Sequence, residues 1–138
     1  KNQILSLTWK WPVTIEKRES QVILPQPSPL KEETANEKII RLVNEKFGTE
    51  APRTLVLLQG ESGVKDADGN WIYRYWAVNQ TSGACGLFQA LPCEKMPCGL
   101  GPNDIECQIN WGYDYIKGVY GDSTSAHEAW LVRLPHWY

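Results

Sequence analysis

The apolar positions of this chain change period as it proceeds. Ile39, Ile40, Val43 and Phe47 recur at helical spacing, Thr34 three residues before Glu37 is a capping-box signature, and Gly48 supplies a stop. A second helix is expected from about Ala51 to Glu61. It carries the buried-looking apolar run Leu55 to Leu58, with Gly63 as its C-terminal cap. In "VKDADGNWIYRYWAVN" the pattern turns to alternation and aromatics around Asp68-Gly69, a hairpin signal. Ile105, Ile109, Gly112, Ile116 and Val119 return to steps of four and three, between Asp104 as the starting cap and Gly121 as the stop, and predict a third helix. A fourth is expected near Ser125, with Glu128 completing a second capping box and Pro135 ending it. The prediction is a mainly α fold of the α+β kind, with one small β-hairpin, over residues 32–138.

Residues 1–31 read otherwise. Pro25, Pro27 and Pro29 cannot sit inside a helix and favour an extended spacer, preceded by a short alternating stretch with Trp9 and Trp11. An extended arm or linker is expected there. A chain of 138 residues can bury one domain's core, and a net charge of −2 suggests no nucleic-acid surface. No apolar run approaches the length of a membrane span, and no cofactor is implied. The chain starts on Lys1 rather than Met, so a processed or truncated extracytoplasmic piece is expected, secreted or associated with the cell envelope, and monomeric.

Cys85, Cys93, Cys98 and Cys107 cluster in a segment rich in proline and glycine. Their spacings do not form paired C-x-x-C units, and His127 and His136 lie far downstream, so no metal site is expected. Two disulfides formed in an oxidising compartment fit better. Of the three possible connectivities the sequential one, Cys85–Cys93 with Cys98–Cys107, is expected.

Glu61 stands out chemically because it ends the helix that the apolar run would bury. A charge there costs several kcal/mol unless it is paired or neutralised. The negative end of the helix dipole also disfavours the carboxylate, so its proton affinity should rise, which suits an acid catalyst. The plainer reading makes Glu61 the point where the helix emerges into water. Asp66, Asp68 and Asn70 resemble half of a calcium loop, but no glutamate stands where the bidentate ligand is needed, and a hairpin turn explains them.

"GES" at the end of a buried helix, then "SGACGLFQALP", "CQINWGYDYIKGVYG" and a terminal "WY", in that order, resemble the lysozyme-like lytic transglycosylases. The similarity extends over about 36–138 and is nearest to the secreted branch that includes the aggregation-promoting-factor C-terminal domains. It implies a disulfide-stapled lysozyme-like fold acting on the glycan strands of bacterial peptidoglycan. Glu61 would be the catalytic acid and base, accompanied by Ser62. Gln89 matches the glutamine of the family's Gly-Leu-x-Gln block, with Phe88 in place of a more usual methionine or smaller residue. Gly112, Tyr115 and Ile116 match the block on the following helix. The candidate substrate-binding set is Ser62, Asn79, Gln89 and Tyr115, joined by Trp130 and Tyr138. The last two stand in for an asparagine that "AHEAWLVRLPHWY" lacks; for Trp130 ordinary core packing is an equal expectation.

Hydrolysis of a glycosidic bond normally uses two carboxyl groups, and a muramidase on the same fold would have to recruit Asp66 or Asp68. A lytic transglycosylase uses one. Two other expectations compete: a cysteine peptidase built on Cys85 and His127, and a glycan-binding domain without activity.

Overall fold

The computed structural model describes residues 32–133, and within them four α-helices and one two-stranded antiparallel sheet. Trp9, Trp11, the proline-rich stretch, Pro135, His136 and Tyr138 lie outside the described residues. The first helix, α1 (Ala35–Phe47), begins as its sequence requires. The Thr34 hydroxyl accepts from the Glu37 amide while the Glu37 carboxylate accepts from the Thr34 amide. Ile39, Val43 and Phe47 form its buried stripe and Gly48 its C-cap, whereas Ile40 falls on the exposed side.

A single 3-10 turn, Gly48–Glu50, feeds α2 (Ala51–Glu61). Only part of its apolar run goes inside. Leu57 and Leu58 are fully buried, Leu55 is half-buried and Val56 is exposed, because four consecutive residues span the whole circumference of a helix. The C-cap is Ser62; Gly63, expected as the cap, instead opens strand β1 (Gly63–Lys65), since pairing with β2 (Trp71–Tyr73) starts at once. Asp66 closes the hairpin by accepting from the amides of Asp68 and Asn70. Asn36 ties α1 to the sheet: its amide group donates to the Trp71 carbonyl and its oxygen accepts from the Tyr73 amide.

Helix α3 (Ile105–Val119) lies against α1, and α4 (Ser123–Val132) against α2. Asp104 stands at the N-cap of α3 without capping it, its carboxylate accepting from the Gly101 amide instead. The second predicted capping box is not formed. Asp122 caps α4 by accepting from the Ser125 amide, because the chain reaches helical geometry at Ser123, earlier than expected. Glu50 binds this corner together, accepting from Lys117 Nζ at 2.6 Å and from the Ser123 amide at 3.0 Å.

The core is assembled from Ile39, Val43, Phe47, Leu57, Leu58, Leu87, Phe88, Ile105, Ile109 and Ile116. Gly112 admits Phe88 to it. A Cβ at position 112 would overlap the edge of the Phe88 ring, so the phenyl group and the helix touch only because glycine is there. Gly112→Ala should therefore overpack the centre of the domain and lower its stability by about 1–3 kcal/mol in denaturant unfolding; an unchanged midpoint would show that Phe88 can move aside.

The two disulfides are the sequential ones, Cys85–Cys93 and Cys98–Cys107, and none of the described cysteines is free. They close short loops, with sequence separations of 8 and 9. In the chain-entropy picture each contributes about 2–3 kcal/mol. The segment they span has two 3-10 turns and no helix of its own until α3 begins. Reduction should thus raise amide exchange across residues 84–104 far more than in α1 and α2, a pattern that exchange mass spectrometry would detect or refute.

Candidate active site

Glu61 is the last residue of α2 and its side chain is mostly withdrawn from water. Oε2 is buried with no hydrogen-bond partner among the described residues. Burial pushes this carboxyl up to about 8, and no cation or hydrogen bond offsets the effect. It holds its proton at neutral pH, as a general acid must. Withdrawal from water is the cause, and a helix C-terminus acts in the same direction.

Three groups stand around the end of α2. The Trp130 ring of α4 lies directly on Gly60, where a Cβ would stand 2.5 Å from Cζ2 and Cη2. The indole therefore packs against the last turn of α2, and it stacks on His127 at 6.0 Å. Tyr120, the C-cap of α3, has its pKa raised chiefly by burial, with a smaller contribution from the Glu61 charge, and its hydroxyl accepts from Arg133 at 3.0 Å. On the hairpin side, Arg74 donates both its backbone amide and Nε to the Ser62 carbonyl. The guanidinium thus satisfies the end of α2 and does not pair with Glu61.

Ser62 is fully buried, so it does not present its hydroxyl to a bound molecule. Its Oγ donates to the Leu87 carbonyl at 2.9 Å, fastening the end of α2 to the loop of the "GLFQ" turn. Gln89 closes that turn in the left-handed region, φ 50°, uncommon for a residue with a side chain. Its Nε2 donates to the Gly86 carbonyl at 2.9 Å and, more weakly, to that of Ala77 at 3.4 Å. Strain of this kind persists only where the surroundings enforce it, and it gathers at functional sites. Asn79 shapes the neighbouring loop: its Oδ1 accepts from the amides of Thr81 and Ser82. Tyr115 stacks on Trp111 at 5.0 Å and lies beneath the Lys95 ammonium at 4.7 Å. Of the predicted set, Glu61, Ser62 and Trp130 come together around the end of α2, and Tyr115 connects to them through Tyr120, 6.3 Å away.

Asp66 and Asp68 are exposed on the hairpin turn. The peptidase expectation fails outright. Cys85 is buried in a disulfide, and His127 Nδ1 faces Arg53 at 3.3 Å.

Sequence reasoning missed Tyr120, Trp111 and Gln108. The two aromatics belong to one ladder with Tyr115, readable in principle as an i, i+4 pair followed by a helix-ending ring. Gln108 is fully buried at the centre of the loop system. Its Oε1 accepts from the Leu87 amide, and its Nε2 donates to the carbonyls of Tyr75 and Gly99. Its signal was a polar residue beside Ile109 and three positions after Ile105, inside an apolar stripe.

No helix among the described residues is long and apolar enough to cross a membrane. Compared with family models, with curated proteins and with solved structures, the chain matches none.

Proposed function

We propose that this chain cuts the glycan strands of bacterial peptidoglycan as a lytic transglycosylase, with Glu61 as its single acid and base. The observation that carries the reading is the buried, unpartnered carboxyl at the end of α2, protonated up to about pH 8. Glu61 gives its proton to the glycosidic oxygen as the bond from the muramic acid C1 to that oxygen breaks, releasing the N-acetylglucosamine side with a new hydroxyl. The resulting carboxylate takes the proton of the muramic acid's own 6-hydroxyl, whose oxygen bonds to C1. A 1,6-anhydro end forms and no water is consumed. Intramolecular attack of an oriented group can lower such a barrier by up to about 7–11 kcal/mol, so a second carboxylate is not required.

The exposed position of Asp66 and Asp68 favours this outcome over hydrolysis, which would need one of them placed across the sugar from Glu61. The lysozyme-like fold and the extracytoplasmic location belong to the same proposal. A mainly helical domain with a small hairpin supports the first, and two disulfides support the second. Digestion of purified peptidoglycan followed by mass spectrometry tests it. Anhydro-muramyl ends are expected; reducing ends would make the protein a hydrolase, and undigested glycan would leave it a binder.

A further inference from the structure

The two disulfides differ in what surrounds their sulfurs. Cys85 is fully buried, packed with Ala90 and Met96 in a small apolar cluster, and only Cys93 at the other end is partly open. Cys98 and Cys107 are both half-buried, and together with Pro97 and Trp111 they line a hollow of about 550 Å³. The second bridge also brackets a hydrogen bond that the first does not. Gly99 follows Cys98, Gln108 follows Cys107, and Gln108 Nε2 donates to the Gly99 carbonyl at 2.9 Å. The same side chain accepts from the Leu87 amide at 2.9 Å. The Leu87 carbonyl in turn receives the Ser62 hydroxyl at 2.9 Å, one residue from Glu61. Three hydrogen bonds therefore join the more accessible disulfide to the end of α2.

We propose that Cys98–Cys107 is a site of thiol–disulfide exchange with an external dithiol, and that opening it switches off the site at Glu61. The chemistry selects this bridge over its neighbour. Exchange needs a thiolate to reach one sulfur and needs the other sulfur to leave as a thiolate. At Cys85–Cys93 only Cys93 is open to approach. The sulfur that must then leave, Cys85, would carry its charge in apolar surroundings, where a thiolate is disfavoured. At Cys98–Cys107 the hollow gives the attacking thiolate access to the bridge. Cys107 is the sulfur that leaves, because it stands in the first turn of α3, where the positive end of the helix favours a thiolate. A mixed disulfide forms between the reductant and Cys98. The reductant's second thiolate then attacks its own sulfur in that mixed bond, and Cys98 leaves as a thiolate. The protein has gained two electrons and, on protonation, two protons; the dithiol has become a disulfide. With the covalent tie gone, Gly99 is no longer held opposite Gln108, and the amide that fixes Leu87 loses a partner. The inference deepens the glycan-cleavage reading and rests on it.

The test holds the full chain in dithiothreitol buffers of graded reducing strength. Thiols are read by alkylation and mass spectrometry, Ser62 and Leu87 by amide NMR, and activity by cleavage of purified peptidoglycan. Cys98 and Cys107 should be labelled before Cys85 and Cys93. In that half-reduced protein the Leu87 and Ser62 amides should shift while α1 keeps its native signals. Cleavage should fall about tenfold or more as the general acid's contribution is lost, and reoxidation should restore it. Cys98→Ser with Cys107→Ser should reproduce the half-reduced protein without any reductant. Ser62→Ala removes the last link, so opening the bridge in that variant should change cleavage by a smaller factor than in the parent. Three results would each overturn the switch: simultaneous opening of both bridges, unfolding of the whole domain when this one opens, or Ser62 signals and cleavage that do not respond to it. The two readings fail separately. Oxidised protein that cuts no glycan sinks the transglycosylase reading, while the labelling order and the Ser62 and Leu87 shifts still decide the exchange site. Equal activity of oxidised and half-reduced protein sinks the switch alone.

Discussion

Glu61→Gln is expected to abolish glycan cleavage and, unusually for an active-site substitution, to make the protein more stable at pH 8. In the proposed reaction one group serves both halves, and the loss of activity follows from that. A general acid or base is worth about 10²–10⁴-fold, and removing both roles at once should reach the upper end or pass it. The stability change follows from linkage. In the folded protein Glu61 titrates near 8 rather than at its ordinary 4.5. Below pH 4.5 both folded and unfolded chains hold the proton, and burial of the neutral acid costs nothing extra. Between the two values the unfolded chain has released its proton while the folded one keeps it, so stability falls as pH rises, and above about 8 the loss is complete. Glutamine has no proton to lose. The variant should therefore show a flatter stability profile across this window and gain a few kcal/mol on the parent at its alkaline end. Urea unfolding at several pH values measures the one effect and product analysis the other. The parent's cleavage rate should also decline as pH rises through 8, because the acid form is lost. A variant that still cuts peptidoglycan, while Asp66→Asn or Asp68→Asn does not, would reassign the acid.

That stability cost explains why the local sequence looks as it does. "TLVLLQG" is built to bury, yet it ends on an ionisable group, and Gly60 is the residue that lets Trp130 close over the last turn. Burial keeps the carboxyl neutral at the end of this helix, whose last turn carries the indole on Gly60. Local pattern was enough to find the helix and the glutamate, since both depend on neighbours in sequence. The pairing of the four cysteines was also accessible, because short loops between successive cysteines are the easiest to close. What could not be read was anything that depends on where two distant segments meet. Ser62 reads in sequence as a ligand-facing hydroxyl, whereas in the fold it donates to the Leu87 carbonyl. Trp130 suits a sugar face or packing equally on sequence alone, and only the fold brings its ring against Gly60 and His127. The Ser125 to Glu128 spacing has the form of a capping box, yet Asp122 competes successfully from outside it.

Gln108 is the sharpest case, and Gln108→Leu should be the most damaging single change to the fold. Leucine has nearly the same bulk and is favoured in a helix, so a substitution in an ordinary buried stripe would be mild. Here one amide side chain satisfies three backbone groups from three loops: the Leu87 amide, the Tyr75 carbonyl and the Gly99 carbonyl. Removing it strands them in an interior where each buried unsatisfied group costs about 1–3 kcal/mol. Some of that is recovered as the loops relax toward water, and a net loss of about 3–5 kcal/mol is expected. The functional consequence is specific. Leu87 is also the residue whose carbonyl receives the Ser62 hydroxyl, so loosening its loop frees the end of α2 and lets water reach Glu61. Where the variant still folds, the Glu61 carboxyl should titrate closer to its ordinary value, and cleavage should begin to fail at lower pH than in the parent. A marginal stability loss, or an unshifted pH profile, would mean that the loop holds its place without the amide and that the dryness of the site has another source.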